Sequence, residues 1–87
     1  MPNYKIEIKQ SAQKELDALD DALFNRIDRK ILSLALNSRP AGCKKLSGSK
    51  NLWRIRVGDY RIVYIIEDKS TTVTITHVAH RREVYES

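Results

Sequence analysis

Two residues, Gly58-Asp59, separate two runs of alternating side chains, and that arrangement commits the middle of this chain to an antiparallel hairpin. On the first run, Leu52 to Val57, Arg54 and Arg56 fall on one face while Trp53, Ile55 and Val57 fall on the other. The second run, Tyr60 to Glu67, places Arg61 near that pair across the turn. Asp68-Lys69-Ser70 predicts a second turn into a third strand, Thr71 to Val78, rich in Thr, Val and Ile. A polar tail, His80 to Ser87, is expected to follow it.

The segment before residue 52 reads differently. Tyr4 to Ile8 alternates with a period of two and predicts a half-buried strand. Ser11 offers an N-cap for a helix over about Ala12 to Leu19, whose Ala12, Leu16 and Leu19 share a face. Asp20 and Asp21 offer a second cap, for a helix from about Ala22 to Asn37 lined by Leu23, Ile27, Ile31 and Leu34. Arg39-Pro40 ends it, because proline restricts the residue before it. So short a joint between the helices predicts an antiparallel helical hairpin. Ala41 to Asn51 is a basic loop carrying Lys44, Lys45 and Lys50. The expected fold class is therefore α+β, in the order β-α-α-β-β-β. An antiparallel sheet needs one face covered, and the helical hairpin is the available cover. With 87 residues and no repeat or linker, residues 1–87 are expected to form one domain.

Composition narrows the functional classes. A lone cysteine, Cys43, allows no disulfide framework and suits a reducing compartment. Tyr4 to Gln10 lacks the continuous apolar run of a secretory leader, and no stretch is long and apolar enough for a membrane span. A cytoplasmic protein without membrane contacts is expected. His77 and His80 are three apart without spaced Cys, Asp or Glu companions, so neither a metal site nor a cofactor is expected. The net charge of +5 is uneven: residues 41–87 carry nine Lys/Arg against five Asp/Glu, residues 1–40 seven against six. Such an excess attracts polyanions, although charge alone does not separate that role from ordinary solubility. The placement of the arginines goes further. Arg54 and Arg56 lie about 7 Å apart on the uncovered face, on a strand with no acid. The alternative is a solvated strand face partnered by Glu67 or Glu83. Like charges side by side repel unless an anion sits among them, and a guanidinium grips phosphate through paired donors.

The chain resembles the RelE toxins of the RelE/ParE superfamily along essentially its whole length. The resemblance is carried by Tyr4-Lys5-Ile6-Glu7-Ile8 with Ser11 to Leu16, and by Arg39-Pro40 before Lys44-Lys45-Leu46-Ser47-Gly48. It is carried most by Trp53-Arg54-Ile55-Arg56-Val57-Gly58-Asp59-Tyr60-Arg61-Ile62-Val63-Tyr64 and by His77-Val78-Ala79-His80-Arg81-Arg82-Glu83-Val84-Tyr85. It implies the toxin of a type II toxin–antitoxin system: an mRNA interferase that cuts messenger RNA in the ribosomal A site, inhibits translation and is neutralised by a cognate antitoxin. The partners implied are mRNA, the 70S ribosome and that antitoxin, with toxin–antitoxin heterotetramers common in the family.

Carried over position by position, the resemblance implies catalytic roles for Arg54, Arg56, Arg61, Arg81 and Tyr85. Arginine stays protonated, so Arg54 and Arg56 are poor bases. Arg56, Arg61 and Arg81 are assigned to the charge that builds on the phosphate as the 2′-OH attacks to give a 2′,3′-cyclic phosphate. Tyr85 either takes the 2′-OH proton or stacks on a base. Lys44, Lys45, Lys50, Arg82 and His80 are the candidate RNA contacts; His80 is also a candidate proton donor, with a solvated tail histidine the preferred reading. Trp53 and Tyr64 are read as core, and Cys43 lacks a base that would make it a nucleophile. The rival reading is a ParE-type toxin, which shares the fold but inhibits DNA gyrase. A ribonuclease-dead module bound to its antitoxin is a further alternative.

Overall fold

The computed structural model describes residues 3–46, 48 and 51–80. Its elements are β1 (Lys5–Ile8), α1 (Gln10–Asp17), α2 (Asp21–Ser33), β2 (Lys44–Lys45), β3 (Leu52–Val57), β4 (Tyr60–Glu67) and β5 (Thr72–His80). They build one five-stranded sheet in the order β1-β5-β4-β3-β2. The α+β class and the helical hairpin agree with expectation. The sheet is mixed rather than purely antiparallel, because β1 runs parallel to β5, Lys5 opposite Thr72 and Ile8 opposite Ile75. Both helices lie between β1 and β3 in sequence and return the chain to the far edge, which frees β1 to pair in parallel. The short β2, opposite Arg54 and Trp53, was not visible in the basic loop.

The hairpin β3–β4 is joined by Gly58-Asp59, and Gly58 has φ +59 at the first turn position, as a type II′ turn requires. Tyr60, Ile62, Tyr64 and Ile66 of β4 face the helices and join Ile55, Val73, Ile75 and Val78 in a core shared with Ala12, Leu16, Ile27, Ile31 and Leu34. Trp53 packs against the edge of this core, as its alternation requires. The Tyr64 hydroxyl, fully buried, donates to the Ser38 carbonyl at 3.1 Å, and burial pushes its pKa up. That bond ties the segment after α2 to the central strand.

The helix ends differ from expectation in instructive ways. Asp20 caps α2 as anticipated, its carboxylate accepting from the Leu23 N–H at 2.9 Å. Ser11 does not cap α1, whose N-cap is Lys9. Its hydroxyl donates instead to the Thr76 carbonyl at 3.0 Å. The last turn of α2 tightens after Ser33, with Leu34, Ala35 and Leu36 bonding three residues back rather than four. The Ala35 carbonyl then accepts from the Tyr4 N–H at 2.8 Å, which stitches the helix end to the strand start. Helix α2 thus stops four residues before Asn37.

Strand β5 continues two residues past the expected Val78, so His80 belongs to the sheet and not to a tail. It also carries a bulge. Val63 lies opposite His77 while Tyr64 lies opposite Ile75, leaving Thr76 as the extra residue. The Thr76 hydroxyl donates to the Val63 carbonyl at 3.0 Å and holds the irregularity. A bulge reverses the alternation beyond it. Val73 and Ile75 before it, and Val78 after it, face the core, while His77 and Ala79 share the other face with Val63 and Arg61. The edge of β5 beyond Ile75 outruns β1, and α1 covers it: the Glu15 carboxylate accepts from the Val78 N–H at 2.7 Å.

Candidate nucleic-acid interface

The sheet face turned away from the helices gathers basic residues in two cross-strand rows. Arg56 lies opposite Arg61, with Ala79 beyond it. Lys44 lies opposite Arg54, followed by Val63 and His77. Neighbouring strands stand about 4.8 Å apart, so Arg54, Arg56 and Arg61 surround one patch whose floor is Val63. That valine is only 4% exposed although it faces away from the helices. Arg56 is exposed; Arg54 and Arg61 are half-buried, with their Nε atoms shielded from solvent. Fixed, partly desolvated guanidiniums hold charge-assisted bonds to an anion better than solvated ones.

Of the two acids weighed as partners for this face, Glu83 lies outside the described residues. Glu67 shares this face but sits opposite Thr72, four residues along β4 from Val63 and about 13 Å away by strand rise. Arg56 and Arg61 meet directly across the hairpin, which places two guanidiniums side by side.

Other expected contacts are placed apart from this patch. Lys45 lies opposite Trp53 and so belongs to the helix side of the sheet edge. His80 lies opposite Tyr60, their rings edge to face at 5.4 Å. It lines a cleft of about 280 Å³ with Leu23, Arg26, Val57, Gly58 and Asp59. The expected solvated tail histidine is thus half-buried and on the opposite side from the arginines, because the Thr76 bulge turns it inward. Lys50, Arg81, Arg82 and Tyr85 lie outside the described residues. Cys43 is a free, half-buried thiol packed against the core. Among the described residues no three His, Cys, Asp or Glu side chains gather as a metal site would need. No helix there is long and apolar enough to cross a membrane.

Two features escaped the sequence. His77 joins the arginine face, and its Nδ1 stands 3.8 Å from the Glu15 carboxylate. Strict alternation sends it inward, and only the bulge brings it out. The second is a clamp on the loop that feeds β2. Arg39 meets both oxygens of Asp68, at 3.3 and 3.0 Å. Its guanidinium lies 5.1 Å from the Trp53 ring centre. The Tyr4 hydroxyl donates to the same carboxylate at 2.6 Å. The Arg39 hydrogen bond, then that of Tyr4, holds the Asp68 pKa below the usual carboxylate value, and Asp68 raises the Tyr4 and Arg39 values in turn. A carboxylate with a depressed folded pKa adds stability above its unfolded pKa and loses it as pH falls through the folded one. Asp68→Asn should therefore lower the urea midpoint at neutral pH, and the gap from the parent should close as pH falls below about 4. Urea unfolding of both proteins at several pH values measures this.

A helical hairpin packed on one face of a five-stranded sheet is a fold shared with small bacterial and archaeal toxins. The sequence profile of the ParE toxin of type II toxin–antitoxin systems, parDE, matches residues 6–85, and the chain belongs to that family. Its named relatives are RelE-type. Toxin RelE3 of Methanocaldococcus jannaschii is 41% identical over 54 residues, covering 62% of this chain and 59% of that protein, so the match spans less than two thirds of this relative. Among solved structures, the toxin–antitoxin complex RelBE2 from Mycobacterium tuberculosis matches with a TM-score of 0.83 and 26% identity over 93% of this chain and 94% of that one. The archaeal RelE–RelB complex from Pyrococcus horikoshii matches with a TM-score of 0.82 and 26% identity over 94% and 99%. The resemblance to RelE toxins holds in sequence and in fold.

Proposed function

We propose that this toxin is an endoribonuclease that cleaves messenger RNA in the cytoplasm, on translating ribosomes. The observation that carries the reading is the convergence of Arg54, Arg56 and Arg61 around Val63 on the sheet face turned away from the helices. In the reaction the ribose 2′-oxygen attacks the adjacent phosphorus and the 5′-oxygen leaves. Negative charge builds on the phosphate oxygens, where prepositioned guanidiniums stabilise it most. Arg56 and Arg61 fit that role, with Arg81 as the tail member that the RelE resemblance supplies. Arg54 and Lys44 fit contacts to flanking phosphates. Tyr85 remains the candidate acceptor for the 2′-OH proton. The RelE of P. horikoshii was solved in complex with RelB, and by analogy a cognate antitoxin holds this toxin inactive.

The family profile carries the name ParE, which favours gyrase inhibition as the second reading. Primer extension on a message translated in the presence of the toxin separates the two. Discrete cuts that vanish when ribosomes are left out are expected. Intact messages together with gyrase inhibition would replace the ribonuclease reading with the ParE one.

A further inference from the structure

The arginine face has ample positive charge, yet Arg54, Arg56 and Arg61 do not give up protons. Departure of a ribose 5′-oxygen needs one. Among the described residues, the one imidazole on this face is that of His77. Its place there is built rather than accidental. The extra residue Thr76 reverses the strand's alternation, its hydroxyl is fixed to the Val63 carbonyl, and its own carbonyl is held by Ser11 of α1. Bulges of this kind re-aim side chains beside active sites.

Charged groups bear on the ring from two sides. From α1, the Glu15 carboxylate lies 3.8 Å from Nδ1 while the Val78 N–H anchors that same carboxylate oxygen. From β4, Val63 lies directly opposite and Arg61 diagonally, with Arg54 one strand further. Glu15 lies on the Nδ1 side of the ring, and the His77 side chain is 57% exposed. Arg54, Arg61 and His77 thus ring Val63, and a phosphate held over that residue meets guanidiniums on one side and the imidazole on the other.

We propose that His77 donates the proton to the leaving 5′-oxygen, with Glu15 as its positioning residue. This rests on the ribonuclease reading above. As the O2′–P bond forms, the P–O5′ bond breaks, its electron pair stays on O5′, and O5′ takes the proton from Nε2 of the imidazolium. The 2′-OH proton goes to a separate acceptor, for which Tyr85 is the candidate, and the neutral imidazole regains a proton from solvent.

The test uses the full chain on ribosomes programmed with a message whose cut site has been mapped. Its substrate pair is the ordinary RNA and one with sulfur in place of the bridging 5′-oxygen, a leaving group that departs without protonation. His77→Gln should slow single-turnover cleavage of the ordinary RNA about 100-fold, yet cleave the sulfur-bridged RNA as fast as the parent does. Between about pH 5 and about pH 9 the parent's rate should fall on the alkaline side, and that limb should be missing in His77→Gln. Glu15→Gln, which keeps an acceptor for Val78, should slow cleavage of the ordinary RNA but not of the sulfur-bridged one. Unchanged cleavage by His77→Gln, or an equal loss on both substrates, would overturn the proposal while leaving the ribonuclease reading standing. No cleavage by the parent toxin would overturn both.

Discussion

Arg61→Ala is expected to lower single-turnover cleavage of a ribosome-bound message by about 100- to 1,000-fold, the cost of removing one prepositioned donor from a developing oxyanion. Arg61 is the arginine best placed for such a role. It opens the central strand β4, lies opposite both Arg56 and Ala79, and flanks the row that holds Val63. A half-buried guanidinium held on a central strand needs little reorganisation as phosphate charge grows. The variant should fold normally, because Arg61 is on the face away from the core. Its melting temperature should stay close to the parent's, since truncating a side chain on that face opens no cavity in the core. Arg61→Lys should recover only part of the activity, because an ammonium keeps the charge but not the paired donors. Quench-flow cleavage assays, with thermal melts of the same preparations, measure both effects. Parent-level cleavage by Arg61→Ala would detach the arginine face from the chemistry.

The arginine face was legible because it depends only on period-two alternation over the six residues of β3 and a two-residue turn. Those are local properties, and the chain states them directly. The same holds for the Asp20 cap, where a side-chain oxygen needs only the amide three residues on. What escaped depends on partners distant in sequence. Ser11 has the chemistry of an N-cap, but its hydroxyl found the Thr76 carbonyl 65 residues away. The parallel pairing of β1 was hidden for a similar reason, since a short alternating run carries no mark of its partner's direction. The bulge at Thr76 mattered most. Thr71 to Val78 reads as an unbroken alternating strand, and nothing local distinguishes a threonine that will be passed over. Its consequence is to exchange the two histidines: His80 turns to Tyr60 and the helices, and His77 joins the arginines. Pairing register, not residue type, decided which histidine joins the arginine face.

Ile62→Ala should destabilise the protein by about 2–5 kcal/mol, the usual cost of emptying a buried isoleucine site. Ile62 is fully buried, midway along the strand that makes both long antiparallel pairings, with Ile55 on one side and Val78 on the other. Helical residues Ile27 and Ile31 complete the core it belongs to. Strands hydrogen-bonded on both sides cannot collapse easily into a vacated volume, so the loss should fall in the upper part of that range. Small domains carry only about 5–15 kcal/mol in total, and the melting temperature should drop by on the order of 10–30 °C. Ile62 also sits between Arg61 and Val63 in sequence, with its side chain on the opposite face. Alternation therefore separates two kinds of damage along three consecutive residues. Well below its own midpoint, Ile62→Ala should cleave RNA at nearly the parent rate, whereas Arg61→Ala should melt like the parent and barely cleave. Calorimetry paired with single-turnover assays on both variants tests the separation. Cleavage lost in Ile62→Ala while the protein is still folded would mean that the arginine geometry depends on core packing beneath β4.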